Sequence, residues 1–156
     1  MATVIDDAIV HRLILARLAT AAGSDELSPL LVVTDAGISP EALPAGLARA
    51  TLVRIDLDHM PRVRGDDNPV AAVTVTVGVE LEREGATTTV SPAGSVYGIS
   101  IAINLVKAAL TKVGLYDAAS GTSVALDECQ SQMDPVRAED GNRRTGVVTV
   151  TGVVCK

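Results

Sequence analysis

The sequence has no Phe and no Trp, and only two tyrosines, Tyr97 and Tyr116. That shortage disfavours binding of RNA or single strands by base stacking. It also forces any core to be assembled from Val, Ala, Leu and Ile. Cysteine is nearly as scarce. Cys129 and Cys155 are too few for a disulfide-stapled secreted scaffold, and the default for both is a buried or inert thiol. Two histidines, His11 and His59, lie far from the cysteines, so zinc-ligand spacing is absent. Lysine is rare as well, 3 against 10 arginines. Residues 1–78 carry 6 basic and 10 acidic groups, and residues 79–156 carry 7 and 9. No segment is basic enough to track a phosphate backbone. There is no Walker sequence and no Gly-x-Gly-x-x-Gly after a strand. No apolar run approaches bilayer length. The first segment opens on Asp6 and Asp7 and is interrupted by His11, Arg12 and Arg17. It reads as an amphipathic helix, not a signal peptide or a membrane span, and a soluble chain made in the cytoplasm is expected.

What is present suits a globular domain. The chain has 156 residues, 47% of them hydrophobic and 21% charged, with a mean hydropathy of +0.34. One domain spanning 1–156 is expected, large enough for an independent core. The net charge of −6 and pI near 4.8 favour solubility and repel free nucleic acid.

Periodicity supplies the elements. Ile5, Ile9, Leu13 and Ala16, widened by Leu15 and Leu18, predict a helix over 5–21 that ends at Gly23. Leu30–Thr34 reads as a short strand. Ser39 and Pro40 suggest a one- or two-turn helix limited by Pro44. Val53, Ile55 and Leu57 alternate with Arg54, Asp56 and Asp58, which predicts a half-buried strand over 51–58. A loop at 59–69 follows. Residues 70–82 give the clearest strand, with Val73, Val75, Val77, Val79 and Leu81 on one face. Residues 86–91 suggest a short return strand. A second helix over 95–113 carries Ile99, Ile103, Val106, Leu110 and Val113 on one stripe, extended by Ala102, Leu105 and Ala109, with Gly114 as its stop. Strands at 122–131 and 146–154 flank a polar excursion. The order is α+β, a mostly antiparallel sheet packed against two main helices.

Chemistry is thin. Asp56 and Asp58 point the same way from a strand and, with His59, Asp66 and Asp67, offer ligands to a divalent cation. The polar face of an amphipathic strand accounts for them more simply. His11 reads as a surface histidine. Residues 94–98 (GSVYG) resemble a nucleophile elbow only superficially, because the Ser is misplaced. The pair Arg143-Arg144 beside Glu139 and Asp140 reads as a solvated loop or an intersubunit ion pair. No catalytic residue, metal ligand or cofactor is assigned.

The layout as a whole resembles the tail terminator and neck (tail-completion) proteins of long-tailed bacteriophages. The resemblance rests on an N-terminal helix, the alternating strand AAVTVTVGVELE (Ala71–Glu82), the single helix GISIAINLVKAALTKVGL (Gly98–Leu115) and the closing RRTGVVTVTGVV (Arg143–Val154). It implies a non-enzymatic virion structural protein, a subunit of a hexameric ring that caps the tail tube. Its implied partners are other copies of itself, the tail tube protein and a head-completion or connector protein. DNA would pass through the lumen without sequence-specific binding. The last hairpin and the second helix would pack the core. Loops at 59–69 and 132–145 would contact neighbours or line the lumen, with Asp66, Asp67, Glu139, Asp140, Arg143 and Arg144 as lumen or interface residues. Two structural alternatives are a capsid decoration protein and a head-completion protein. Alternatives of another class are a small metal-dependent enzyme built on Asp56, Asp58 and His59, and a cytoplasmic ligand-binding domain.

Overall fold

The computed structural model describes residues 5–22, 31–35, 48–60, 68–82, 99–135 and 143–156. The elements are α1 (Asp7–Ala22), β1 (Leu31–Asp35), β2 (Ala48–His59), β3 (Val70–Glu82), α2 (Ile99–Leu110), β4 (Gly114–Asp117), β5 (Thr122–Met133) and β6 (Arg143–Cys155). They form an α+β fold. One six-stranded sheet has the order β1-β2-β3-β6-β5-β4. Each of the five strands from β2 to β4 is antiparallel to its neighbours in that run, and β1 joins the edge parallel to β2.

β3 and β6 form the spine. They pair without interruption from Val70↔Cys155 to Glu82↔Arg143. Strict alternation sends Ala71, Val73, Val75, Val77 and Val79 to the helix side, all buried. β6 contributes Val148, Val150 and Val154 to the same side. β-Branched side chains suit this pleated surface.

Both helices close that face. α2 lies over β3, β5 and β6, burying Ala102, Ile103, Val106, Ala109 and Leu110 as its spacing predicts. α1 packs against α2 and reaches β1, β2, β4 and β5. Its buried stripe differs from the expected one. Val10, Ile14 and Leu18 face the core beside Ile5, whereas Ile9 and Leu13 are half-buried and Ala16 is exposed. The helix is apolar on several sides, and the stripe with three large side chains buries more area than one ending in alanine. Asp6 caps α1, accepting from the Ala8 N–H at 2.9 Å. Arg17 ties α1 to α2 by donating from Nε to the Ala109 carbonyl at 2.9 Å. Arg12 ties it to β4 through Asp117 at 3.0 Å.

Three further expectations are corrected. α2 does not run to Gly114. Lys112 adopts φ 51° and its N–H bonds the Asp127 carbonyl, so the chain turns there and Gly114 opens β4. β4 itself is not among the elements that periodicity supplies. β2 is longer than expected and contains a bulge between Leu52 and Arg54. The bulge reverses the alternation. Ala50 and Leu52 are buried, Val53 turns outward at 50% exposure, and Ile55 and Leu57 return to the helix side. The short helix expected near Ser39 and the return strand at 86–91 lie outside the described residues.

Candidate functional surface

Because both helices pack on one side, the other side of the sheet carries no helix among the described residues. Its central part is uncharged. Ala72, Thr74, Thr76 and Gly78 of β3 stand beside Val153, Thr151, Thr149 and Val147 of β6. Thr74 faces Thr151 and Thr76 faces Thr149 across the pair. Ala125, Gln130 and Gln132 extend this surface onto β5. Val53 lies over Gly78, whose missing Cβ would sit 3.3 Å from a Val53 methyl.

Charge is confined to the flanks. Arg49 and Glu80 are directly opposed and form an ion pair at 3.1 Å, with Arg49 only 6% exposed. Arg54 bonds Asp56 at 2.6 Å, both in solvent. On the far side, Lys112 pairs with Glu128 at 3.2 Å. A shallow hollow of about 240 Å³ opens beside β5, lined by Gln130, Ser131, Gln132, Val147 and Thr149.

A second break in alternation lies in β5, between Leu126 and Cys129. It places Leu126 and Cys129 on the same side of the sheet and leaves Asp127 and Glu128 exposed. Gly152 of β6 makes room for it, since a Cβ there would collide with the Ala125 carbonyl. Cys129 is half-buried, and its Sγ lies 3.7 Å from the Lys107 carbonyl. Burial pushes its thiol up, against smaller opposing effects of Thr111 and Lys107. Cys155 is exposed. The β4–β5 turn is knitted by Asp117. It accepts from the Ser120 hydroxyl at 2.6 Å and the Ser120 N–H at 3.1 Å. The Ser120 hydroxyl holds its carboxyl below the usual 3.8, with desolvation opposing and the Ser120 N–H and Arg12 assisting.

The residues singled out in the sequence fall as follows. Asp56 and Asp58 share the open face, as alternation requires, whereas His59 falls on the other parity. Asp56 is engaged by Arg54. Among the described residues, no group of three His, Cys, Asp or Glu side chains is placed to hold a metal ion. His11 is half-buried on α1. Asp66, Asp67, Glu139, Asp140 and the segment 94–98 lie outside the described residues. Arg143 and Arg144 belong to β6, opposite Glu82 and Leu81, and Arg144 is half-buried. The expected loops are correspondingly shorter. His59 still pairs in β2, Met60 bonds Val70, and β5 continues to Met133. Among the described residues, no helix is long and apolar enough to cross a membrane.

Sequence reasoning missed both bulges, although each left a trace. Leu52-Val53 puts two apolar residues in succession within an alternating strand. Asp127-Glu128 puts two polar ones between Leu126 and Cys129.

No family model matches the chain. No curated protein matches it. A solved structure, whose name carries no functional term, superposes over 98% of this chain and 97% of its own with a TM-score of 0.52. Its sequence identity is 12%, so the likeness concerns the fold alone.

Proposed function

We propose that the chain is a virion structural subunit of the tail-terminator type, acting by surface complementarity and not by catalysis. The observation that supports this most is the one-sided architecture. Both helices cover one face of the sheet, and among the described residues the other face, with its uncharged Thr/Val/Ala centre, and parts of both strand edges carry no covering element. Such surfaces suit an assembly component, because unpaired edges otherwise invite uncontrolled association. In this reading the chain forms a homo-oligomeric ring on the tail tube and presents its other rim to a head-completion protein. The net charge of −6 suits a passage that DNA traverses without sticking.

Native mass spectrometry followed by negative-stain imaging tests the reading. Closed rings that co-sediment with tail tubes are the expected result. Binding to assembled capsid shells and not to tubes would move the chain to the decoration class. A chain that stays monomeric when offered either structure would overturn a virion role.

A further inference from the structure

The sheet has two half-open edges, and they are placed diagonally. On one side β1 covers β2 only from Ala48 to Leu52, so Val53–His59 has no strand on its outer side among the described residues. On the other side β4 covers β5 only from Thr122 to Ala125. The backbone of Leu126 and Asp127 still bonds Val113 and Lys112, but Glu128–Met133 has no outer neighbour among the described residues. Each open stretch begins at a bulge. They differ in how they are protected. Arg54, Asp56 and Asp58 put charge along the β2 stretch, whereas past Glu128 the β5 stretch runs through Gln130, Ser131, Gln132 and Met133 with no charge and no proline, the usual protections of a free edge. Three of the five large hydrophobic side chains exposed on the described surface belong to these stretches or adjoin them. Val53 is 50%, Met60 46% and Met133 56% exposed.

We infer that these two stretches are the two halves of one contact: Val53–His59 of one copy adds as a strand to Glu128–Met133 of the next. The partner's identity as a second copy rests on the ring reading. Its geometry comes from the sheet. Three antiparallel steps separate β2 from β5, so they run in opposite directions. A neighbour repeated in the same orientation therefore brings them together antiparallel. With the register below, Met133 then lies near Ile55, and Asp58 near Gln130. The contact is heterologous, so repetition gives a ring or a filament.

The register sets a stagger. Along β3, the open part of β2 is level with residues 71–76, and the open part of β5 with residues 75–79. Successive copies are thus displaced by about four residues, roughly 13 Å at 3.3–3.4 Å per residue. β1 and β4 fill the remaining halves of the two edges and act as stops against sliding. A closed ring absorbs such a stagger by tilting its strands to the axis, as closed β-barrels do.

Paired cysteines test this. In a Cys129→Ala, Cys155→Ser background, one preparation carries Asp58→Cys and another Gln130→Cys, both at exposed positions. Each is treated with a short bis-maleimide, alone and after mixing through dissociation and reassembly. Cross-linked dimers only in the mixture are expected. A second variant, Gln132→Lys with Met133→Lys, should weaken association at least tenfold while leaving the melting temperature of the dissociated chain within a few degrees. Self-cross-linking of either single variant would overturn the head-to-tail contact. Rings seen by imaging without mixed cross-links would overturn the edge pairing and leave the ring reading intact. A chain monomeric at every soluble concentration and on tail tubes would overturn both.

Discussion

Gly152 is held by a steric demand that no loop or turn imposes. It sits mid-strand, where a side chain would meet the Ala125 carbonyl beside the β5 bulge. Gly152→Ala is expected to cost about 1–3 kcal/mol, the usual range for overpacking, read as a lower urea midpoint. Gly146 is tighter against Ile103 than against backbone, with the added Cβ 2.6 Å from the Ile103 Cδ1. That methyl can rotate away, so Gly146→Ala should be the milder change. Asp117 gives a pH signature. Its folded pKa lies below its unfolded value, so the ionised form stabilises the fold fully above about pH 4. That contribution is lost as pH falls from 3.8 toward the folded value. Ser120→Ala should therefore lower stability most near neutral pH, with the gap to wild type narrowing in acid. A gap independent of pH would assign the loss to the two hydrogen bonds between Ser120 and Thr122. At the thiols, exposed Cys155 should alkylate well before half-buried Cys129, whose raised pKa further reduces the thiolate.

Among the elements, legibility followed the regularity of the pattern. β3 was readable residue for residue, because a Val/Thr alternation carried through the strand admits a single register. α2 was readable because one stripe is plainly apolar and the facing positions are not. α1 was readable as a helix but not in its rotation, since Ile9, Leu13, Val10 and Ile14 offer two competing faces. β4 was invisible: four residues, with Tyr116 66% exposed, carry too little period to register. The bulges were hidden because alternation is read by assuming that it persists. The candidate surface shared this fate, as it is made by strands meeting at a distance in the chain. Asp56 and Asp58 were correctly placed on one face, but their surroundings come from β3 and from Arg54. Within α2, Leu110 is fully buried in the core cluster. Leu110→Ala is expected to cost about 2–5 kcal/mol in chemical denaturation, more than any exposed α2 substitution such as Asn104→Ala.

At the scale of the molecule, the described residues form one layer of strands under one layer of helices, and stability should be graded accordingly. β3 and β6 are paired on both sides and along their length, whereas β1 and β4 hold on by five and four residue pairs. Amide exchange is expected to be slowest at Val75, Val77, Val148 and Val150 and fastest in β1 and β4. If the ring forms through the strand edges, assembly should slow exchange selectively at residues 53–59 and 128–133, which a docking through the open face would not do.

The position of β6 has a bearing on how the chain comes into being. The strand synthesised last of the six is the one that lies between β3 and β5. Until it emerges, the sheet exists as two separate fragments, each exposing an edge that β6 will later occupy. A nascent chain released before Arg143 therefore cannot close its core, and a strand from another chain can take the vacant slot. The fold is in this sense sealed from the inside, by a late insertion and not by growth at its rim. Ribosome-stalled chains of increasing length should become protease-resistant in one step, as β6 clears the exit tunnel.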